Sequence, residues 1–149
     1  MSLSIELADN YLDLMKKMYV VLNSCFSQDP SIWEKCVEIT SRLKRKDMHL
    51  LDQLFHLIIL FFRDLHYYVS TGDENDIIYK NHLEKILNLC QSHPSADWKA
   101  CIQHVENTRN YIFRNGNISL MMINMIIDMQ MSIQGKFHDT FKLSDWIAT

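Results

Sequence analysis

Apolar residues recur along this chain mostly at steps of three and four, the repeat of one face of an α-helix. Leu7, Tyr11, Leu14, Met18, Val21, Leu22 and Cys25 form the first such stripe, which predicts a helix over 5–25 with Ser4 as its cap. Ser27-Gln28-Asp29-Pro30 breaks it. Ser31 and Glu34 then form a capping-box pattern, in which hydroxyl and carboxylate each satisfy an orphan amide at a helix start. This second helix carries Trp33, Val37, Ile39 and Leu43 and is expected to end in Arg42-Leu43-Lys44-Arg45-Lys46. Positive charge there complements the carbonyl end of the helix dipole.

Asp47 is placed to cap a third helix over 48–69. That helix is apolar nearly all round from Leu57 to Phe62, the mark of a central element contacted from several sides. Ser70 to Asp76 reads as a polar loop, and Asn81 is placed to cap a shorter helix through Ile86, Leu87 and Cys90. His93-Pro94 stops it, and Ser95 is placed to cap a fifth helix with Trp98, Cys101, Val105, Thr108 and Ile112 in one stripe. Asn115-Gly116-Asn117 is a tight break, because glycine tolerates the positive φ such turns need. A last helix over 118–133 carries Leu120, Met121, Ile123, Met125, Ile126, Ile127 and Met129. From Gly135 the chain reads as a tail, with Phe137, Phe141 and Trp146 able to dock back.

Composition supports the same picture. The 149 residues fit one domain spanning 1–149, and three glycines and two prolines are too few for the many tight turns of a sandwich, barrel or doubly wound sheet. The expected fold is all-α, a single helical bundle of five to six helices. A formal charge of −3 gives no general pull toward nucleic acid or an anionic membrane. Cys25, Cys36, Cys90 and Cys101 lie in apolar helical stretches and never as Cys-x-x-Cys, so they read as reduced, buried thiols. The first residues have neither a basic segment nor an apolar signal core. The most apolar run, Leu50 to Phe62, is interrupted by Asp52, Gln53 and His56 and falls short of the ~20 apolar residues that cross a bilayer. A soluble, cytoplasmic protein with no membrane contact is therefore expected.

Reactive constellations are sparse. A di-iron bundle needs Glu-x-x-His on each of two helices, and none of the seven histidines has a glutamate three positions earlier. No His-x-x-x-His pair is present to clamp zinc. Cys101 and His104 share a helical face, as a nucleophile and its base would, but Cys101 sits on the apolar stripe and reads as structural. His49 and His56 read as polar flecks on a buried helix. Glycines are too scattered for a phosphate loop, so neither ATP binding nor any other cofactor or small-molecule substrate is expected. The loop Asp73-Glu74-Asn75-Asp76 reads as solvated. Arg42, Lys44, Arg45 and Lys46 form the one candidate anion or partner patch, and no stacking aromatics are interleaved with them.

The third and last helices are more apolar than a lone surface position requires. Such a helix is either central in its own bundle or shared with a neighbouring chain, and methionine suits both. For a subunit contact the candidates are Met121, Met122, Met125 and Met129, with Arg63 as a polar contact.

Two motifs carry a family resemblance. Leu50-Leu51-Asp52-Gln53-Leu54 leading to Phe62-Arg63-Asp64-Leu65 resembles the central helix of the C-terminal domain of bacterial DNA polymerase III clamp-loader subunits. Arg114-Asn115-Gly116-Asn117 with Leu120 is similar to that family's Asn-x-Asn start of its last helix, although Ile118 stands where the family commonly has proline. The likeness covers roughly 49–130. It implies a helical collar domain that holds five subunits in a ring, while AAA+ ATPase modules open the sliding clamp and place it on primed DNA. It further implies that this chain is a C-terminal fragment without that ATPase module, with Met1-Ser2-Leu3 an addition. Its direct partners would be other clamp-loader subunits, and DNA and the clamp would be reached only through the complex. The competing expectation is a free-standing helical adaptor that captures a partner helix in a groove. An enzyme or metal carrier comes third.

Overall fold

A computed structural model of the chain describes residues 2–27, 29–77, 82–114 and 117–134. Among them are six α-helices and no strand: α1 (Ser2–Phe26), α2 (Pro30–Ser41), α3 (Met48–Thr71), α4 (Leu83–Ser92), α5 (Trp98–Phe113) and α6 (Ile118–Gln134). The expected cap Asn81, the tail from Gly135 with Phe137, Phe141 and Trp146, and the side chains of Leu7 and Trp33 lie outside the described residues.

The helices fall where the apolar periodicity puts them, but several begin on other residues. α1 already includes Ser2, so Ser4 lies inside it rather than at its cap. α2 starts on Asp29 rather than on the Ser31–Glu34 box. Asp29 Oδ1 accepts from Ser31 N at 3.0 Å and from Ser31 Oγ at 2.9 Å. Pro30 takes the first turn, where its missing N–H leaves nothing unsatisfied. These hydrogen bonds, the backbone one foremost, hold the Asp29 carboxyl below its ordinary pKa. α2 stops at Ser41, short of the basic run. There Thr40 Oγ1 donates back to Cys36 O and Ser41 Oγ to Glu38 O, and a 3₁₀ turn, Arg45–Asp47, follows. Asp47 turns its carboxylate backward to accept from Lys44 N at 3.1 Å, closing that turn instead of capping α3.

α3 runs two residues beyond the expected Val69 and ends on Gly72 at φ 67°, with Gly72 N bonded to Tyr68 O at 2.8 Å. A Cβ on Gly72 would meet nothing within 4 Å, so the left-handed backbone and not crowding is what asks for glycine. A short 3₁₀ turn, Glu74–Asp76, occupies part of the expected loop. α5 is capped by Asp97 rather than Ser95. Asp97 Oδ1 accepts from Ala100 N at 3.0 Å while Asp97 N donates to Ser132 O of α6 at 2.9 Å, and this tertiary tie selects the position. Asn117 caps α6, its Oδ1 accepting from Leu120 N at 3.0 Å.

Four helices form the corners of the bundle in the order α3, α5, α6, α1, each packed on the next, with α1 closing back on α3. α2 covers the seam between α1 and α6, and α4 leans on α3. Leu51, Leu54, Phe55, Ile58, Phe61, Phe62 and Leu65 of α3 are at most 1% exposed, so this helix is the spine of the core. Met18, Val21, Leu22 and Cys25 meet it from α1, whereas Tyr11, from the same sequence stripe, points outward. Phe26, Phe62 and Trp98 gather with ring centroids 6.1–6.3 Å apart, joining the ends of α1 and α5 to α3. Gln130 of α6 donates from Nε2 to Ser24 O and Ser27 O, satisfying carbonyls at the C-terminal end of α1.

Two substitutions separate the core from its caps. Ile58→Ala should destabilise the fold by about 2–5 kcal/mol, since it empties a fully enclosed site. Asp97→Ala should cost only about 1 kcal/mol, the usual worth of an N-cap. Urea denaturation followed by circular dichroism checks both, and equal losses would contradict this ordering.

Candidate functional site

Among the described residues, grooves between the helices and an outward face of α6 are open to partners or ligands. One groove, about 550 Å³, lies between α1 and α3. Leu14 and Leu57 are near-buried at its floor, and Tyr11, His49, Gln53 and His56 are exposed along it. The two histidines are thus surface groups and not flecks on a buried face: positions 49, 52, 53 and 56 lie on the one side of α3 left open by α1 and α5. Asp52, also in the groove, accepts from Arg109 Nε of α5 at 2.5 Å. Both partners are about 40% exposed, so this pair ties two helices together for a modest gain. Seven positions separate His49 from His56, about 10 Å along the axis, which is too far for one metal ion. Among the described residues, no group of three or more His, Cys, Asp or Glu side chains could hold a metal ion.

A second groove, about 340 Å³, runs between α5 and α6. Met121 and Met125 line it with His104, Asn107, Tyr111 and Asn124. His104 Nε2 is hydrogen-bonded to Ser132 Oγ at 3.1 Å, so this imidazole is engaged by α6. Its helical neighbour Cys101 is wholly buried, with burial pushing its pKa up to about 12. A thiol held protonated and out of solvent is a poor nucleophile. Cys25, whose Sγ lies 3.8 Å from Met129 Sδ, is likewise raised well above its ordinary pKa by burial and by the neighbouring Cys101 and Cys36. Burial also lifts Cys36 to about 11, as it does half-buried Cys90.

The third groove, about 290 Å³, opens where α1, α2 and the start of α3 meet. Ile39, Leu43 and Leu50 line it with Lys17, Arg42 and Asp47. Of the basic patch, Arg42 is paired with Glu38 at 2.6 Å, Lys44 and Lys46 are exposed, and the Arg45 side chain lies outside the described residues.

On α6 the structure divides the candidate contact residues. Met122, Met125 and Met129 are at most 1% exposed, enclosed by this chain's own helices, and Met121 is half-buried. The side of α6 left open is another one: Leu120 is 53% and Ile127 38% exposed, two turns apart on one face. Methionine was the sequence signal, yet which face it occupies depends on where α1, α2 and α5 pack. Arg63 is exposed on α3, donating to Tyr67 Oη at 3.1 Å with its guanidinium 5.0 Å from that ring.

One polar cluster lies deeper. Tyr19 Oη of α1 and His82 Nε2, at the start of α4, share a hydrogen bond beside the fully buried Asp64. Lys85 Nζ lies 4.4 Å from the Tyr19 ring centroid. Burial lowers the His82 pKa, Lys85 lowers it further, and Asp64 opposes both. Sequence reading passed over this cluster, because its members are 63 positions apart and share no motif.

Comparison with protein-family models, with curated proteins and with solved structures gives no match for this chain. No helix among the described residues is long and apolar enough to cross a membrane.

Two measurements follow from these environments. The unfolded chain protonates His82 near pH 6.5 and the folded chain only below it. The stability tied to neutral His82 is thus complete above pH 6.5 and lost as pH falls through the folded value. Urea midpoints should drop between pH 7 and pH 5 in the wild type and drop less in His82→Gln; parallel profiles would contradict the assignment. For the thiols, Cys25, Cys36 and Cys101 should resist a disulfide reagent at neutral pH and react once urea unfolds the chain. Prompt labelling of any of the three in the native protein would show that the core opens.

Proposed function

We propose that this chain is a non-catalytic assembly module, cytoplasmic in setting, that offers the outer face of α6 to a sister subunit. The observation that carries this reading is the exposure of Leu120 and Ile127 on one side of an otherwise core-facing apolar helix. An exposed apolar face costs solubility unless a partner covers it. Asn124 and Asp128, also exposed on α6, supply a polar rim.

For the assembly itself, the reading is the collar of a bacterial clamp loader, with the delta-prime subunit first and the gamma/tau subunit second. Its support is the pair of motifs and their positions, Phe62-Arg63-Asp64-Leu65 within α3 and Asn117 as the cap of α6. The module would have neighbouring subunits as partners and would meet DNA and the sliding clamp only through them. A free-standing adaptor is the second reading. It draws on the α1–α3 groove, whose apolar floor and polar rim suit a partner helix.

Co-expression with the remaining clamp-loader subunits and size-exclusion chromatography tests the first reading. The wild-type chain should enter the complex. Leu120→Asp and Ile127→Asp should weaken entry at least tenfold while helicity is unchanged, whereas Met122→Asp should unfold the domain. A chain that stays outside the complex, with native helicity, would overturn the collar assignment.

A further inference from the structure

Charge is sorted along α3. Between Glu38 and Asp52 the chain carries Arg42, Lys44, Arg45 and Lys46 against a single carboxylate, Asp47. Between Arg63 and Lys80 it carries Asp64, Asp73, Glu74 and Asp76 and no lysine or arginine. The first group precedes the N-terminal end of α3 and, apart from buried Asp64, the second follows its C-terminal end. A 24-residue helix separates them by about 36 Å.

This order runs against helix electrostatics. The N-terminal end of a helix carries partial positive charge and the C-terminal end partial negative charge. Lysines before α3 and carboxylates after it therefore add to its dipole instead of offsetting it. Part of the basic end is balanced within the chain, with Lys17 on Asp13 at 3.1 Å and Arg42 on Glu38. Lys44 and Lys46 are exposed, with no ion pair among the described residues. Asp73 and Glu74 are exposed too, with the Asp73 carboxylate accepting from Asn75 N at 2.9 Å.

Apolar shape follows the same axis. The basic end carries the groove of Ile39, Leu43 and Leu50. In the last two turns of α3, next to the acidic segment, Tyr67 and Val69 are left outward, Val69 57% exposed. One end thus offers an apolar hollow lined also by Lys17, Arg42 and Asp47, with exposed Lys44 and Lys46 in the same stretch of chain, and the other offers exposed carboxylates just beyond Val69.

From these two oppositely charged ends we infer that the chain binds a second copy of itself head to tail, the acidic end of one copy seating on the basic end of the next. The contact is heterologous, because the two surfaces differ, and so it propagates into a ring or an open filament rather than stopping at a symmetric dimer. It uses neither α5 nor α6, and it stands whether or not the collar reading does. Exposed ion pairs are individually weak and salt-screened, so the association is favoured by low salt and high concentration.

Sedimentation velocity on the whole chain tests it, at about 0.02 M and about 0.5 M salt, between which the screening length shrinks about fivefold. At low salt the weight-average mass should rise with concentration to at least twice the 17.7 kDa monomer, and it should return to the monomer at high salt. Lys44→Glu with Lys46→Glu should be monomeric alone, as should Asp73→Lys with Glu74→Lys. An equimolar mixture of the two should associate again, because every contact then joins a basic end to an acidic one. All four positions are exposed, so circular dichroism should be unchanged. If a reversal does perturb the fold, the neutral pair Lys44→Gln with Lys46→Gln gives the same reading. A monomeric wild type at low salt, or variants that associate as the wild type does, overturns the proposal. So does a lysine variant that keeps its self-association but loses binding to a duplex oligonucleotide, since the basic end would then serve nucleic acid.

Discussion

Burial of α3 on most of its circumference is the constraint from which the other positions follow. Phe55 and Phe62, two turns apart on one face, and Ile58 and Phe61, turned progressively away from them, are each wholly enclosed. A helix that apolar needs neighbours on several sides, and α1, α5 and α4 provide them. With α1 and α5 committed to α3, the space they leave between them is closed by α6, which explains why the two most apolar helices occupy opposite corners. The Phe26–Phe62–Trp98 cluster then fixes where the ends of α1 and α5 meet the spine.

Polar side chains specify this arrangement more than they add to its stability. Gln130 closes the carbonyl end of α1 from α6, and Asp97 caps α5 while its own amide bonds to Ser132 of α6. Asp52 and Arg109 link α3 to α5 at the rim of the large groove. Each is a directional contact between helices whose apolar faces alone would tolerate sliding, and each joins residues far apart in the chain. The Tyr19–His82 hydrogen bond plays the same part for α4, the helix that leans on the bundle from outside. Because burial there disfavours the charged imidazole, protonation of His82 works against this attachment.

The functional surfaces are what remains once the core has taken its share. The sulfur-rich side of α6 is consumed internally, leaving Leu120 and Ile127 outward, and the side of α3 not covered by helices becomes the groove with His49 and His56. The buried thiols are driven to high pKa by the same enclosure, which keeps Cys101 from acting as a nucleophile although His104 lies one turn away. What reaches solvent among the described residues is therefore a set of grooves, apolar ridges and sorted charge.

The number, type and order of the helices were legible in the chain, because a three-and-four repeat with few glycines and prolines admits little else. So was the inward stripe Trp98, Cys101, Val105, Thr108 and Ile112, since it is local. Tertiary structure decided the rest. Asp97 displaced Ser95 as a cap because Asp97 also reaches α6, and Tyr11 points outward although it shares its stripe with buried Leu14 and Met18. Which side of the nearly uniform helix α6 faces inward was undetermined by periodicity: when apolar residues surround a helix, only the positions of its neighbours break the tie.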